Sequence, residues 1–204
     1  MASAGCYAVF PTAIGDCAIA WNDAGLSAVW LPEASREALR RRVQRRTPDA
    51  IESQPSGAIA GIVDAIARLL AGEHVDFDGA TLDLAHTDDF DRRVYAATRT
   101  IRAGQVLTYG ELAAQIGAAA SARAVGQSLG RNPWPIVVPC HRVVAAGSAL
   151  GGFSAPGGTA TKRRLLAIER ARRGDAPDLF DAPGSAPPVP GSERASGGEP
   201  AGGH

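Results

Sequence analysis

The sequence is most informative in what it lacks. It holds three cysteines, at positions 6, 17 and 140. So sparse and odd a count excludes a disulfide framework and points to a reducing compartment, the cytoplasm. No run of 18 apolar residues occurs, so neither a membrane span nor a membrane partner is expected. The opening residues, MASAGCYAVF, have no basic stretch followed by a long apolar one, which argues against a secretory leader. Among Cys6, Cys17, Cys140, His74, His86 and His141 there is no close C-x₂-C or H-x₃-H pair. Neither a metal nor a cofactor is therefore expected.

Net charge is also missing, but its zero conceals an asymmetry. Residues 91–174 carry thirteen Arg or Lys against three acids, whereas residues 1–90 carry seven basic residues and thirteen acidic ones. A surplus of ten positive charges in the middle of the chain suits a polyanionic partner, with nucleic acid foremost. Solvated helix faces would show the same imbalance, so charge alone does not decide.

The 204 residues suffice for one domain or two small ones. Alternation over 5–32 predicts three short strands, with Asn22-Asp23-Ala24-Gly25 as a hairpin turn. A basic helix follows at 34–46. GAIAGIVDAIARLLA, 57–71, sets Ile59, Ile62, Val63, Ile66, Leu69 and Leu70 at helical spacing. Residues 75–85 read as a strand pair or extended segment. A helix is predicted at 89–102 with Phe90, Val94, Ala97 and Ile101 inward. Thr108 and Glu111 fit a capping box that opens a short helix, and Ser121 is placed to cap a second over 122–129. Two short helices across a tight turn suggest a helix-turn-helix. A last helix is predicted at 159–173. The Pro/Gly-rich remainder has too few large apolar residues to order itself. The expected division is an α/β domain at 1–86, a mainly α domain at 87–174 and a disordered tail at 175–204.

Chemistry centres on VVPCHRVV, 137–144. The flanking apolar residues read as a strand. Cys140 is then an inert core thiol, a nucleophile or a metal ligand. A nucleophilic thiol needs its proton removed. In an extended chain His141 points away from its neighbour, so a bridging water would carry that proton and a carboxylate would orient the ring.

Beyond this, FDRRVYAATRTIRAGQVLTYGELA, ARAVGQSLGRNPWPIVVPCHRVV, GSALGGFSAPGG and TKRRLLAIE resemble, in order, the O6-alkylguanine-DNA alkyltransferases, or methylated-DNA–protein-cysteine methyltransferases. The resemblance implies a ribonuclease-H-like first domain and a second with a winged helix-turn-helix-like motif. It implies that duplex DNA containing O6-alkylguanine is the partner, with no obligate protein partner. The damaged base, and by extension O4-alkylthymine, is flipped out, and its alkyl group passes irreversibly to Cys140 in one turnover. His141 and Glu169 complete a relay through water. Tyr109 helps guanine leave as a neutral base. Arg123 fills the gap in the stack, and small Ala124 and Gly126 let the helix enter a narrow groove. Asn132 braces the cysteine turn, and Phe153 and Ser154 roof the pocket. Arg142 is grouped with the DNA and substrate contacts, although a supporting structural role suits it better than chemistry. Phe153 departs from the family's frequent tyrosine, and the loop SAPGGTAT is longer than the family's usual form. Binding without transfer, transcription regulation and thiol hydrolysis are the competing functions.

Overall fold

The structure is a computed structural model that describes residues 5–147 and 150–172; the expected tail lies outside them. Strands β1 (Cys6–Thr12), β2 (Gly15–Asn22) and β3 (Gly25–Trp30) form an antiparallel meander. The two-residue β4 (Ile51–Glu52) runs parallel to β1, giving the order β3-β2-β1-β4. The predicted hairpin turn is present: Asn22 Oδ1 accepts from the Ala24 N–H at 2.9 Å. Helix α1 (Arg36–Arg46) begins where the Ser35 side chain accepts from the Ala38 N–H. Helix α2 (Gly57–Leu70) buries Ile62, Ile66, Leu69 and Leu70, as its spacing requires.

Residues 75–85 form no paired strands. They lie along the outer edge of β3, where Leu26 donates to Thr81 O and accepts from the Asp83 N–H. A strand edge left bare invites pairing with another chain; here this segment and Pro133, whose carbonyl accepts from the Val29 N–H at 2.8 Å, cover it.

The second half is mainly helical: α3 (Asp89–Arg99), α4 (Tyr109–Gln115), α5 (Ala122–Gly130) and α6 (Gly158–Ile168). Short strands β5 (Leu107–Thr108) and β6 (Val143–Val144) pair in parallel. The capping box at Thr108 and Glu111 is formed at the start of α4. Ser121 does not cap α5; its side chain makes no such bond, because a 3₁₀ turn over Ala119–Ser121 leads directly into the helix. Helix α6 stops at Ile168, five residues short of the expected end. Among the described residues no helix is long and apolar enough to cross a membrane.

The two halves share one core. Ile19, Leu26 and Ile66 pack in the same buried cluster as Leu112, Val125 and Val138. Trp134 is its main tie. Its indole N–H donates to Leu26 O at 2.8 Å, and its ring meets Tyr95 edge-on at 5.6 Å. The Tyr95 hydroxyl in turn donates to Ser128 O in α5. The sheet is thus connected through two buried aromatic rings to the helix beside the reactive turn. We predict that Trp134→Ala lowers stability by about 3–5 kcal/mol, measured as a lower urea midpoint at unchanged slope.

Candidate active site

Residues 132–142 build the cysteine's setting. Asn132 holds both ends of a tight turn: its Nδ2 donates to Val138 O at 2.8 Å, and its Oδ1 accepts from the Trp134 N–H at 2.9 Å. Inside that turn Ile136, fully buried, has a φ of 77°. A β-branched residue is strained there, by about 1–3 kcal/mol, and stays only where its surroundings enforce it. The enforcing contacts are those of Asn132 together with Val138 N–H to Trp134 O.

The strand expected for the cysteine motif is replaced by a 3₁₀ turn over Cys140–Arg142, and extended backbone resumes only at Val143. Local bonds account for this. The Cys140 N–H turns back to Val138 O and the Arg142 N–H to Pro139 O, so neither is available to a ladder. In this turn the side chains of Cys140 and His141 do not alternate as they would in a strand, yet the thiol and imidazole are still not bonded to each other. His141 Nε2 lies 2.9 Å from Glu169 Oε1, while its buried Nδ1 has no hydrogen-bond partner among the described residues.

Glu169 sits at the centre of this buried group. Arg142 donates to both its oxygens, at 2.9 and 2.8 Å, and also to Ile101 O. Burial alone would raise the Glu169 pKa, but His141 and Arg142 override it and hold the carboxyl at about 2. Burial pushes the His141 pKa down against the pull of Glu169, so the ring rests neutral. Placing Arg142 among the DNA and substrate contacts is corrected: its guanidinium is internal and fully engaged, and it supports the carboxylate.

Burial likewise pushes the Cys140 thiol up; the Asn132 side chain and the charge of Lys162 act in the opposite direction. Lys162 was not anticipated. It is fully buried, donates to Val143 O at 2.6 Å and Gly152 O at 3.3 Å, and lies 5.6 Å from the Tyr109 ring. Burial brings its pKa down to about 8. A signal did exist: Lys162, Leu165, Leu166 and Glu169 share one stripe at helical spacing, and all four are buried.

A cavity of about 850 Å³ opens above the thiol, beneath the α4–α5 corner. Cys140, Tyr109, Arg123, Gly126, Phe153 and Ser154 all line it. Ala124, half-buried on α5, is not on its wall, and neither are Asn132, His141, Arg142 and Glu169. Tyr109 donates to Gly152 O at 3.4 Å; burial, and then the nearby Cys140, raise its pKa and keep the phenol protonated. Gly151 has a φ of 70°, and a Cβ there would stand 2.9 Å from the Tyr109 ring. Only glycine lets the roof close on that tyrosine.

A thiol lining a cavity under a helix corner, followed in the chain by a histidine paired with a charged carboxylate, is the equipment of an enzyme that works through a cysteine. Comparison with known proteins makes this specific. Residues 89–171 match the family described as "6-O-methylguanine DNA methyltransferase, DNA binding domain". A methylated-DNA–protein-cysteine methyltransferase of Mycobacterium tuberculosis is 40% identical over 175 residues, covering 86% of this chain and 98% of that protein. One from Methanothermobacter thermautotrophicus is 37% identical over 154 residues, covering 76% and 79%. The crystal structure of Mycobacterium tuberculosis OGT in complex with DNA superposes with a TM-score of 0.65 at 36% identity, covering 80% of this chain and 91% of that one. The chain belongs to the methylated-DNA–protein-cysteine methyltransferase family, enzymes of DNA repair.

The buried charges yield three predictions. Glu169 binds fewer protons folded than unfolded between its folded pKa of about 2 and its ordinary 4.5. Its stabilisation is therefore complete above about pH 4.5 and lost as pH falls toward 2. Glu169→Gln should flatten urea stability across that window, and Arg142→Met, which strands the carboxylate, should cost about 3–5 kcal/mol at pH 7. Lys162→Met should slow alkyl transfer roughly tenfold in single-turnover kinetics, because the thiolate loses a positive charge that favours it, while duplex binding is retained.

Proposed function

We propose that this chain flips O6-alkylguanine out of duplex DNA and takes the alkyl group irreversibly onto Cys140, once per molecule. O4-alkylthymine, with a similar exocyclic oxygen, is a secondary substrate. The observation that carries the reading is the position of Cys140. It lines a cavity large enough for a base, and its chain neighbour His141 keeps a buried nitrogen, Nδ1, with no hydrogen-bond partner among the described residues. A water there would take the thiol proton to His141 Nδ1, and the resulting imidazolium would rest on Glu169. The sulfur–carbon bond forms as the carbon–O6 bond breaks. Overall, the thiol hydrogen is exchanged for the alkyl group and guanine is restored. Tyr109, held protonated, donates to the departing base. The thioether has no good leaving group, so the acceptor is spent.

The α4–α5 corner is read as a helix-turn-helix, and β5–β6 as the remnant of its wing. Ala122, Ala124 and Gly126 are small, and a minor groove ~6 Å wide demands a slim helix. Arg123, exposed on α5 and on the cavity wall, fills the stack left by the flipped base; extrusion costs a few kcal/mol that this contact offsets. Phe153 stacks on the extruded base and Ser154 hydrogen-bonds it. The sheet half, 1–86, is read as a ribonuclease-H-like domain, and 87–174 as the DNA-binding and catalytic domain. The protein acts as a monomer without an obligate protein partner or cofactor, in the cytoplasm, where a free thiol persists.

The test is an O6-methylguanine duplex, with intact-mass and peptide analysis. One methyl group per molecule on Cys140 is expected. Cys140→Ser should abolish the adduct and leave duplex binding unchanged. Transfer that survives this substitution means another nucleophile, and an unmodified Cys140 on a tightly bound lesion means binding without repair.

A further inference from the structure

Cys140 borders a second cavity. A space of about 620 Å³ lies between the sheet half and the cysteine turn, and it shares Gly130, Cys140, Phe153 and Ser154 with the base pocket. Cys140 thus stands where the two spaces meet.

The second cavity differs from the first in charge. Arg42 and Arg46 of α1 line it from one side and Arg131, just past α5, from the other. Arg42 is paired with Glu33, and Arg131 donates to both oxygens of Asp91 at 2.9 and 3.0 Å. Asp83 is the one acid on the lining, and it is already held by Asn22 Nδ2 at 2.7 Å. Arg46 is exposed and has no acidic partner among the described residues. The remaining wall includes Ala155 and Pro156, from the loop that is longer than the family's usual form.

In-line displacement fixes what this space can receive. Sulfur, the reacting carbon and O6 must be collinear, so the rest of an alkyl chain leaves that axis sideways. Guanine fills the base pocket; the cavity toward the sheet is the other described space that Cys140 lines. On this basis, and resting on the alkyl-transfer reading above, we propose that the cavity between the sheet and the cysteine turn is a subsite for O6-substituents longer than methyl that end in a carboxylate, with Arg46 as its selecting residue. The transfer itself is unchanged: the sulfur–carbon bond replaces the carbon–O6 bond, and the carboxylate is a spectator. A neutral chain of the same length fits the same space without the charge contact.

The experiment compares duplexes carrying O6-methylguanine, O6-(3-carboxypropyl)guanine and its neutral 3-carbamoylpropyl isostere, using the full chain in single-turnover kinetics at low salt. The carboxylate should react faster than the amide by up to about fivefold, the range of an exposed ion pair. Arg46→Gln should bring that ratio to about one and Arg46→Glu should invert it, with O6-methylguanine transfer unchanged in both. A ratio unaffected by either substitution overturns the proposal. So does an equal slowing of all three substrates with weaker binding of undamaged duplex, which would make Arg46 a phosphate contact. Failure of even O6-methylguanine to modify Cys140 would instead reject the alkyl-transfer reading itself.

Discussion

The site depends on one buried carboxylate. Glu169 is 1% exposed, and an ion so placed survives only with charge and hydrogen bonds around it. Arg142 supplies both, with two bonds and a full positive charge. The remaining capacity of Oε1 goes to His141. That bond fixes the ring's orientation and makes Nε2 the protonated nitrogen at rest. Nδ1 is thereby left as the acceptor, on the side away from Glu169. Loss of the carboxylate would undo the tautomer as well as the charge balance.

A single helix carries much of this. Helix α6 presents Lys162 near the thiol and leads, two turns on, to Glu169 behind the histidine. Its end is pinned as well: the Arg172 N–H donates to Gly104 O at 2.8 Å, beyond α3. The turn bearing Cys140 is held from another direction, through Pro133 and Trp134 to β3. The cysteine therefore sits between two anchored bodies, and the strain at Ile136 is confined between them. Such support is what holds a reactive group to a productive geometry.

How much of this the sequence disclosed depends on range. The capping box at Thr108 and Glu111 and the apolar stripe of α2 are local patterns, and both are formed as read. Val137-Val138 and Val143-Val144 flank the cysteine with β-formers, and that composition suggested a strand. The outcome was decided by Pro139, which has no N–H to donate, and by Asn132, which closes the turn from eight residues upstream of Cys140. The His141–Glu169 pair spans 28 positions and was reached only through family resemblance. Trp134 was missed because its partner, Leu26 O, is 108 residues away. Lys162 was missed for a different reason: next to Arg163 and Arg164 it reads as part of a solvated face, although its spacing from Leu165 and Leu166 put it inside.

The resting electrostatics oppose the ionised pair, since burial holds Cys140 as a thiol and His141 as a neutral base. Both shifts follow from the same low dielectric, and that dielectric also strengthens any charge contact made within it. In the proposed transfer, as the proton leaves the sulfur, negative charge develops near Lys162 and positive charge on His141 beside Glu169. Each new charge meets a fixed opposite one that is already in place and needs no reorganisation, the arrangement that lowers a barrier most effectively. A permanently ionised thiolate would enjoy the Lys162 contact in the ground state as well, and only an interaction that is stronger in the transition state accelerates the chemical step. Holding the thiol protonated at rest would reserve these contacts for the proposed transfer itself.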